Sequence, residues 1–222
     1  MKRLTSVAVL ALAVACHHET PPTPPEPTQS IPMDTGYYWI YQQTDTVGAV
    51  DTLDTTVILS DTIYNGYEAY NVAGYLMGQY DTAVFYCADS NIVSVYDIDL
   101  EILVMTVEGP LMPQFLSNGQ HWQVFTGETT GIYYPPFFDS SDVVRLSIWG
   151  MVEESTALSV PAGSFDPVYR LHYEDTIYKN GGYMLSIYQY SWVAPGTGII
   201  KRDDDEAGTD PTAELLDCYT GD

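Results

Sequence analysis

The chain has 222 residues, with 30 Asp and Glu against seven Lys and Arg, giving a formal net charge of −23. So acidic a surface repels phosphate backbones and anionic headgroups, which excludes nucleic acid as a partner. An apolar content of 45%, including 19 tyrosines, is ample for a sizeable core.

The first predicted element is a leader. Lys2 and Arg3 precede a largely apolar run from Leu4 to Ala15, interrupted only by Thr5 and Ser6. That run is too short to cross a bilayer, which takes about 20 apolar residues, and has the proportions of a secretory signal peptide. Ala13-Val14-Ala15-Cys16 resembles the lipobox of bacterial lipoproteins, which implies cleavage after residue 15 and attachment of a palmitate-type lipid to Cys16. The competing reading is an ordinary signal peptide, because Ala-x-Ala is also what the general signal peptidase prefers. Residues 16–30, with Pro21, Pro22, Pro24, Pro25 and Pro27, cannot pack and read as an extended tether between lipid and domain. His17, and not Asp, after the lipidated cysteine points to the outer membrane under the enteric sorting rule. Removing the leader leaves five Lys and Arg against the 30 carboxylates.

Residues 31–222 then read as one all-β domain of about a dozen short antiparallel strands with little helix, curved into a half-barrel or barrel, or stacked as a sandwich. Strands are expected at 37–43, 56–59, 67–70, 79–86, 92–96, 102–107, 122–126, 143–149, 157–160, 168–178, 183–193 and 199–202, where Tyr, Thr, Val and Ile cluster. Asn65-Gly66 and Asn180-Gly181 mark hairpins, because the primed turns that join two strands tightly need positive φ. The stretch 98–105 could form one helical turn, although its β-branched residues favour a strand. Pro32, Gly36, Trp39 and Tyr41 are weakly echoed by Pro113, Gly119, Trp122 and Val124, a hint of two related halves.

Three motifs follow one another through this domain: Pro32-x-x-x-Gly36-x-x-Trp39, Val160-Pro161-Ala162-Gly163-Ser164-Phe165, and Trp192-Val193-Ala194-Pro195-Gly196-Thr197-Gly198-Ile199-Ile200-Lys201. In these the chain resembles a group of uncharacterised envelope lipoproteins of Gram-negative and related bacteria. Some of that group are similar to the half-barrel lipoprotein-carrier fold, in which a curved sheet presents a concave apolar face. The resemblance implies a fold and a location, and its motifs are structural. Physically, Pro161 to Gly163 suits a tight turn delivering Phe165 to the core, and Trp192 is expected to fill core volume.

Chemistry-bearing patterns are few. The chain has no G-x-S-x-G elbow, no H-E-x-x-H and no phosphate loop, so catalysis is not expected and no cofactor is implied. Alternation places Arg170, His172 and Glu174 on one strand face, which reads chiefly as a solvated face of ion pairs and otherwise as a candidate ligand patch with Arg145. The aromatic loop containing Tyr134, Phe137 and Phe138 is a candidate contact for a glycan or partner, or else core. Beyond Cys16, Cys87 and Cys218 could form a disulfide in an oxidising envelope, or lie buried as separate thiols. Asp203, Asp205 and Glu214 follow part of the EF-hand spacing, yet Ala207 supplies no side-chain oxygen at the fifth position, so the run reads chiefly as an acidic turn.

The resulting expectation is a monomeric, lipid-anchored envelope protein that binds an apolar or glycan ligand, or a protein, without catalysis. A purely structural surface protein and a weak glycan hydrolase are the alternatives.

Overall fold

The computed structural model describes residues 28–44, 50–76, 79–99, 104–130, 136–203 and 212–221. The leader, Cys16 and most of the tether lie outside them.

Twelve strands form one sheet: β1 (Tyr38–Thr44), β2 (Val50–Tyr64), β3 (Tyr67–Leu76), β4 (Gln79–Ala88), β5 (Asn91–Asp99), β6 (Val104–Pro113), β7 (His121–Thr129), β8 (Val144–Val160), β9 (Gly163–Lys179), β10 (Gly182–Ala194), β11 (Gly198–Asp203) and β12 (Thr212–Tyr219). Their spatial order is β6-β5-β4-β3-β2-β1-β12-β11-β10-β9-β8-β7, and every pairing is antiparallel. Two six-stranded meanders are thus joined where the last strand inserts beside the first. The sheet curls until β6 approaches β7, giving a nearly closed barrel.

Local chemistry explains the elements. Asn65 and Gly66 have φ of 49° and 87°, and Asn180 and Gly181 have 49° and 80°, so both expected hairpins turn through left-handed residues. In β8 the residues Val144, Leu146, Ile148, Gly150 and Val152 are buried while those alternating with them are not, the period-two pattern of a strand with one face to a core. The expected strands at 143–149 and 157–160 are one strand, carried through the intervening polar residues by register shifts at Val152/Glu154 and Thr156/Leu158. Strand β12 was not expected at all, and it supplies Ala213 and Leu215 to the core. Of the stretch 98–105, the parts described are strand ends of β5 and β6.

The seam between β6 and β7 is closed by side chains and by a missing one. Trp122 Nε1 donates to the Leu111 carbonyl at 3.0 Å, and Tyr173 OH donates to the same oxygen at 3.1 Å. Gly109 lets the strands touch, because a Cβ there would sit 1.7 Å from the Val124 carbonyl oxygen. The end of the barrel where β1 begins is plugged by residues 28–37. Ser30 is fully buried, with its N–H on the Gln114 carbonyl at 2.7 Å and its hydroxyl on the Pro113 carbonyl at 2.8 Å, while Gly196 N–H donates to the Gln29 carbonyl at 2.7 Å. Ile58, Ile92, Met112, Ile148, Leu171, Ile200 and Leu215 form the largest fully buried side chains, each worth about 1.5–3 kcal/mol of burial.

Candidate functional site

A barrel of eight strands is just filled by its own side chains, whereas much wider barrels enclose a channel. Twelve strands fall between these cases, and the interior is incompletely filled. A cleft enclosing about 910 Å³ of space not occupied by protein atoms, including the part open to solvent, lies inside the sheet.

The walls are mainly apolar. Trp39 and Tyr41 of β1, Ile58 of β2, Val72 of β3, Ala83 and Phe85 of β4 and Leu111 of β6 line it, with Ile31 and Met33 of the plug as its floor. The aromatic rings are fixed from behind: Trp39 Nε1 donates to the Thr197 carbonyl and Tyr41 OH to the Ile199 carbonyl at 2.8 Å. Gly198, at φ of 103°, leaves room for Trp39, whose Nε1 is 3.2 Å from where a Cβ would stand. The far end is open, for Leu185 and Ile187 lie on the inward phase of β10, opposite Ile177 and Asp175, yet are 40% and 44% exposed.

A few polar groups break this apolar surface. On β5, Ser94 Oγ and Tyr96 OH are buried without a hydrogen-bond partner. From β9 the carboxylate of Asp175, paired in register with Ile148 and Ile187, faces the same interior, and its Oδ1 has no partner either. Burial pushes the Asp175 carboxyl up to about 6. Tyr96 is held well above an ordinary phenol by burial and then by the Asp175 charge, so it stays a neutral donor and acceptor. Across the barrel from β5, Arg202 of β11 lies over the Tyr41 ring, 4.3 Å from its centroid. Burial likewise raises Tyr41, to about 12, against a smaller opposing effect of Arg202.

The residues that sequence reasoning proposed as ligand contacts are elsewhere. Arg170 and His172 do share a patch, on the outer face, with Glu153 of β8: Arg170 Nη1 lies 3.1 Å and His172 Nδ1 3.2 Å from its carboxylate. His172 stacks on Tyr190 at 4.9 Å, and Arg170 covers the same ring at 4.4 Å. Glu174 turns instead to Ser186, at 3.0 Å. Arg145 does not join them and stands over Tyr178 at 4.2 Å. Trp192 is half-buried on that outer face, beneath Arg170 and Lys201, so it does not fill the barrel interior as expected; the alternation of β10 gives the inward positions to Ser191 and Val193. Phe138 is buried in the main core, Phe137 is 54% exposed, and Tyr134 lies outside the described residues.

Cys87 and Cys218 are free thiols, so the disulfide is not made. Three strands separate β4 from β12, which at about 4.8 Å per strand puts them roughly 19 Å apart along the sheet. Cys87 instead accepts a hydrogen bond from Gln29 Nε2 at 3.4 Å. Of the acidic run, Asp205 lies outside the described residues, and Glu214 is 3.5 Å from Lys201 Nζ. Among the described residues no group of three or more His, Cys, Asp or Glu is arranged to hold a metal.

Ser94, Tyr96, Asp175 and Arg202 were not singled out from the sequence. For Asp175 a signal existed: it continues the phase Leu171, Tyr173, Ile177, an acid in the apolar register of its strand.

No protein-family model matches this chain, and no curated protein matches it. Among solved structures, it is similar to a candidate lipoprotein from Parabacteroides distasonis, with a TM-score of 0.51 and 13% identity, covering 87% of this chain and 100% of that one. It also aligns with a candidate exported protein of YmcC-like fold from Bacteroides fragilis, at a TM-score of 0.47 and 15% identity over 86% of this chain and 99% of the other. At such identity the likeness to the first concerns the fold alone.

Proposed function

We propose that this protein is a lipid-anchored lipoprotein of the cell envelope whose barrel holds an apolar or amphipathic small molecule without transforming it. The observation that carries the reading is the cleft inside the sheet with its mainly apolar walls. Filling such a space with an apolar ligand removes surface from water on both partners, at about 25 cal/mol per Å². A binding role over a catalytic one is supported by His172, which is not among the residues lining the cleft and is held by Glu153 and Tyr190. The lipobox at Cys16 supports the envelope location, and the P. distasonis protein of similar fold is itself described as a candidate lipoprotein. His17 directly after the lipidated cysteine supports an outer-membrane anchor under the enteric sorting rule.

Native mass spectrometry of the full chain carrying Cys16→Ser, secreted and purified without detergent, tests the reading. A reproducible added mass of lipid size is the expected result. A bare mass, with no uptake of added apolar ligand, would leave an interaction or structural role in its place.

A further inference from the structure

We propose a second binding site on the outer face of β8, β9 and β10, an aromatic platform for an uncharged saccharide chain. Strand pairing sets its geometry: Trp149 stands opposite Glu174 across β8 and β9, and Tyr188 stands opposite the same Glu174 across β9 and β10. The two rings therefore flank the carboxylate in one row, two strands apart, with about 9.6 Å between their backbones. Both are exposed, Trp149 by 48% and Tyr188 by 40%, and neither they nor Glu174 line the cleft. Trp149 Nε1 donates to Ser147 Oγ at 3.2 Å, which lays the indole along its own strand, and Tyr188 leans on the His172 ring at 5.4 Å. Rings held in this way need little further ordering when a ligand arrives.

The polar part of the platform is also oriented. The Ser186 and Thr176 hydroxyls donate to Glu174 Oε1 at 3.0 and 3.4 Å, and among the described residues no donor meets Oε2. An ionised carboxylate only accepts, so Oε2 calls for a hydroxyl or N–H from the ligand. A pyranose ring offers both halves of this chemistry, C–H groups on its faces and hydroxyls at its rim. Stacking the first on Trp149 and Tyr188 brings the second beside Glu174. Charge argues against other occupants. Between residues 4 and 144 the chain has no Lys or Arg, so a basic protein would be drawn to the first meander and not to this face. Around the platform the cations are matched: Arg170 by Glu153 at 3.1 Å and Lys201 by Glu214 at 3.5 Å, while Arg145 stands opposite Glu128 in register. Among the described residues this leaves the face no surplus of positive charge for an acidic glycan or an anionic bilayer, in a chain whose net charge is −23.

Isothermal titration of the Cys16→Ser chain with cellohexaose, chitohexaose and maltohexaose tests the site. At least one is expected to bind, and Trp149→Ala and Tyr188→Ala should each weaken that binding about tenfold or more, the usual effect of truncating a Trp or Tyr anchor. Both side chains are exposed, so the melting temperature should hold in each variant. Leu59→Ala, a change of an equally exposed apolar residue on β2, should leave the affinity as it was. If none of the three sugars binds at millimolar concentration, or if binding survives both substitutions, the platform is refuted. Association of two copies in sedimentation, lost in Trp149→Ala and with no sugar bound, would refute it too and make the face a contact between proteins.

Discussion

Replacing Asp175 by Asn should stabilise the protein at neutral pH and leave it almost unchanged in mild acid. The carboxyl is drawn into the barrel between Ile148 and Ile187 and titrates at about 6 against an ordinary 3.8, with burial as the cause. A folded-state pKa above the unfolded one means that the native chain holds the proton more tightly than the unfolded chain does. The associated stability is therefore fully present below about pH 4 and lost as pH rises through 6. At 1.36 kcal/mol per pK unit, the ionised form costs the fold about 3 kcal/mol, a large share of the 5–15 kcal/mol typical of a domain. Asn keeps the shape and removes the charge, so the difference between variant and parent should grow from near zero at pH 4 to about 2–3 kcal/mol at pH 8. Urea unfolding followed by tryptophan fluorescence at pH 4, 5, 6, 7 and 8 measures it, because the other carboxylates are common to both chains and cancel in the difference. A difference independent of pH, or a variant less stable than the parent at pH 8, would refute the placement of Asp175 inside the barrel.

Gly109→Ala should lower thermal stability by at least about 2 kcal/mol, because the new methyl would meet the Val124 backbone oxygen and push β6 from β7. Gly182→Ala, whose Cβ would find only the Lys179 carbonyl at 3.4 Å, should change it little in the same calorimetric comparison. Reductant should not move the urea midpoint, and mass spectrometry after alkylation of the unfolded chain should find both Cys87 and Cys218 modified. In the native chain that alkylation should be slow at pH 8, since burial raises both thiols and the Asp217 charge adds to the effect at Cys218.

The all-β architecture could be read from residues because its signals are local. Asn-Gly pairs fix hairpins wherever they occur, and the Tyr, Thr and Val runs have few alternatives to pleated strand. Strand β12 escaped notice because Glu214-Leu215-Leu216-Asp217 has no clean alternation. A register shift opposite Ile40/Tyr41 sets Leu215 inward and leaves Leu216 38% exposed, which only pairing with β1 reveals. The candidate site was less legible for a different reason. A cleft belongs to the curvature of the whole sheet, and Ser94, Tyr96 and Arg202 converge only once β5 and β11 stand on opposite walls. Sequence reasoning weighed the polar phase of β9, Arg170 and His172, when the informative residue was the acid in its apolar phase. The paired-tryptophan echo has a structural counterpart: Trp39 and Trp122 both point inward, and each follows a glycine of positive φ, Gly36 or Gly119.

Where the plug is fastened sets the attitude of the whole molecule. Gln29 and Ser30 are bound to the closed end through Gly196, Gln114 and Pro113, so the chain enters the barrel at its base, opposite the mouth beside Leu185 and Ile187. If the proposed lipid at Cys16 moors the chain, the mouth beside Leu185 and Ile187 faces away from the bilayer, and a ligand would arrive from the aqueous side and not from the membrane beneath.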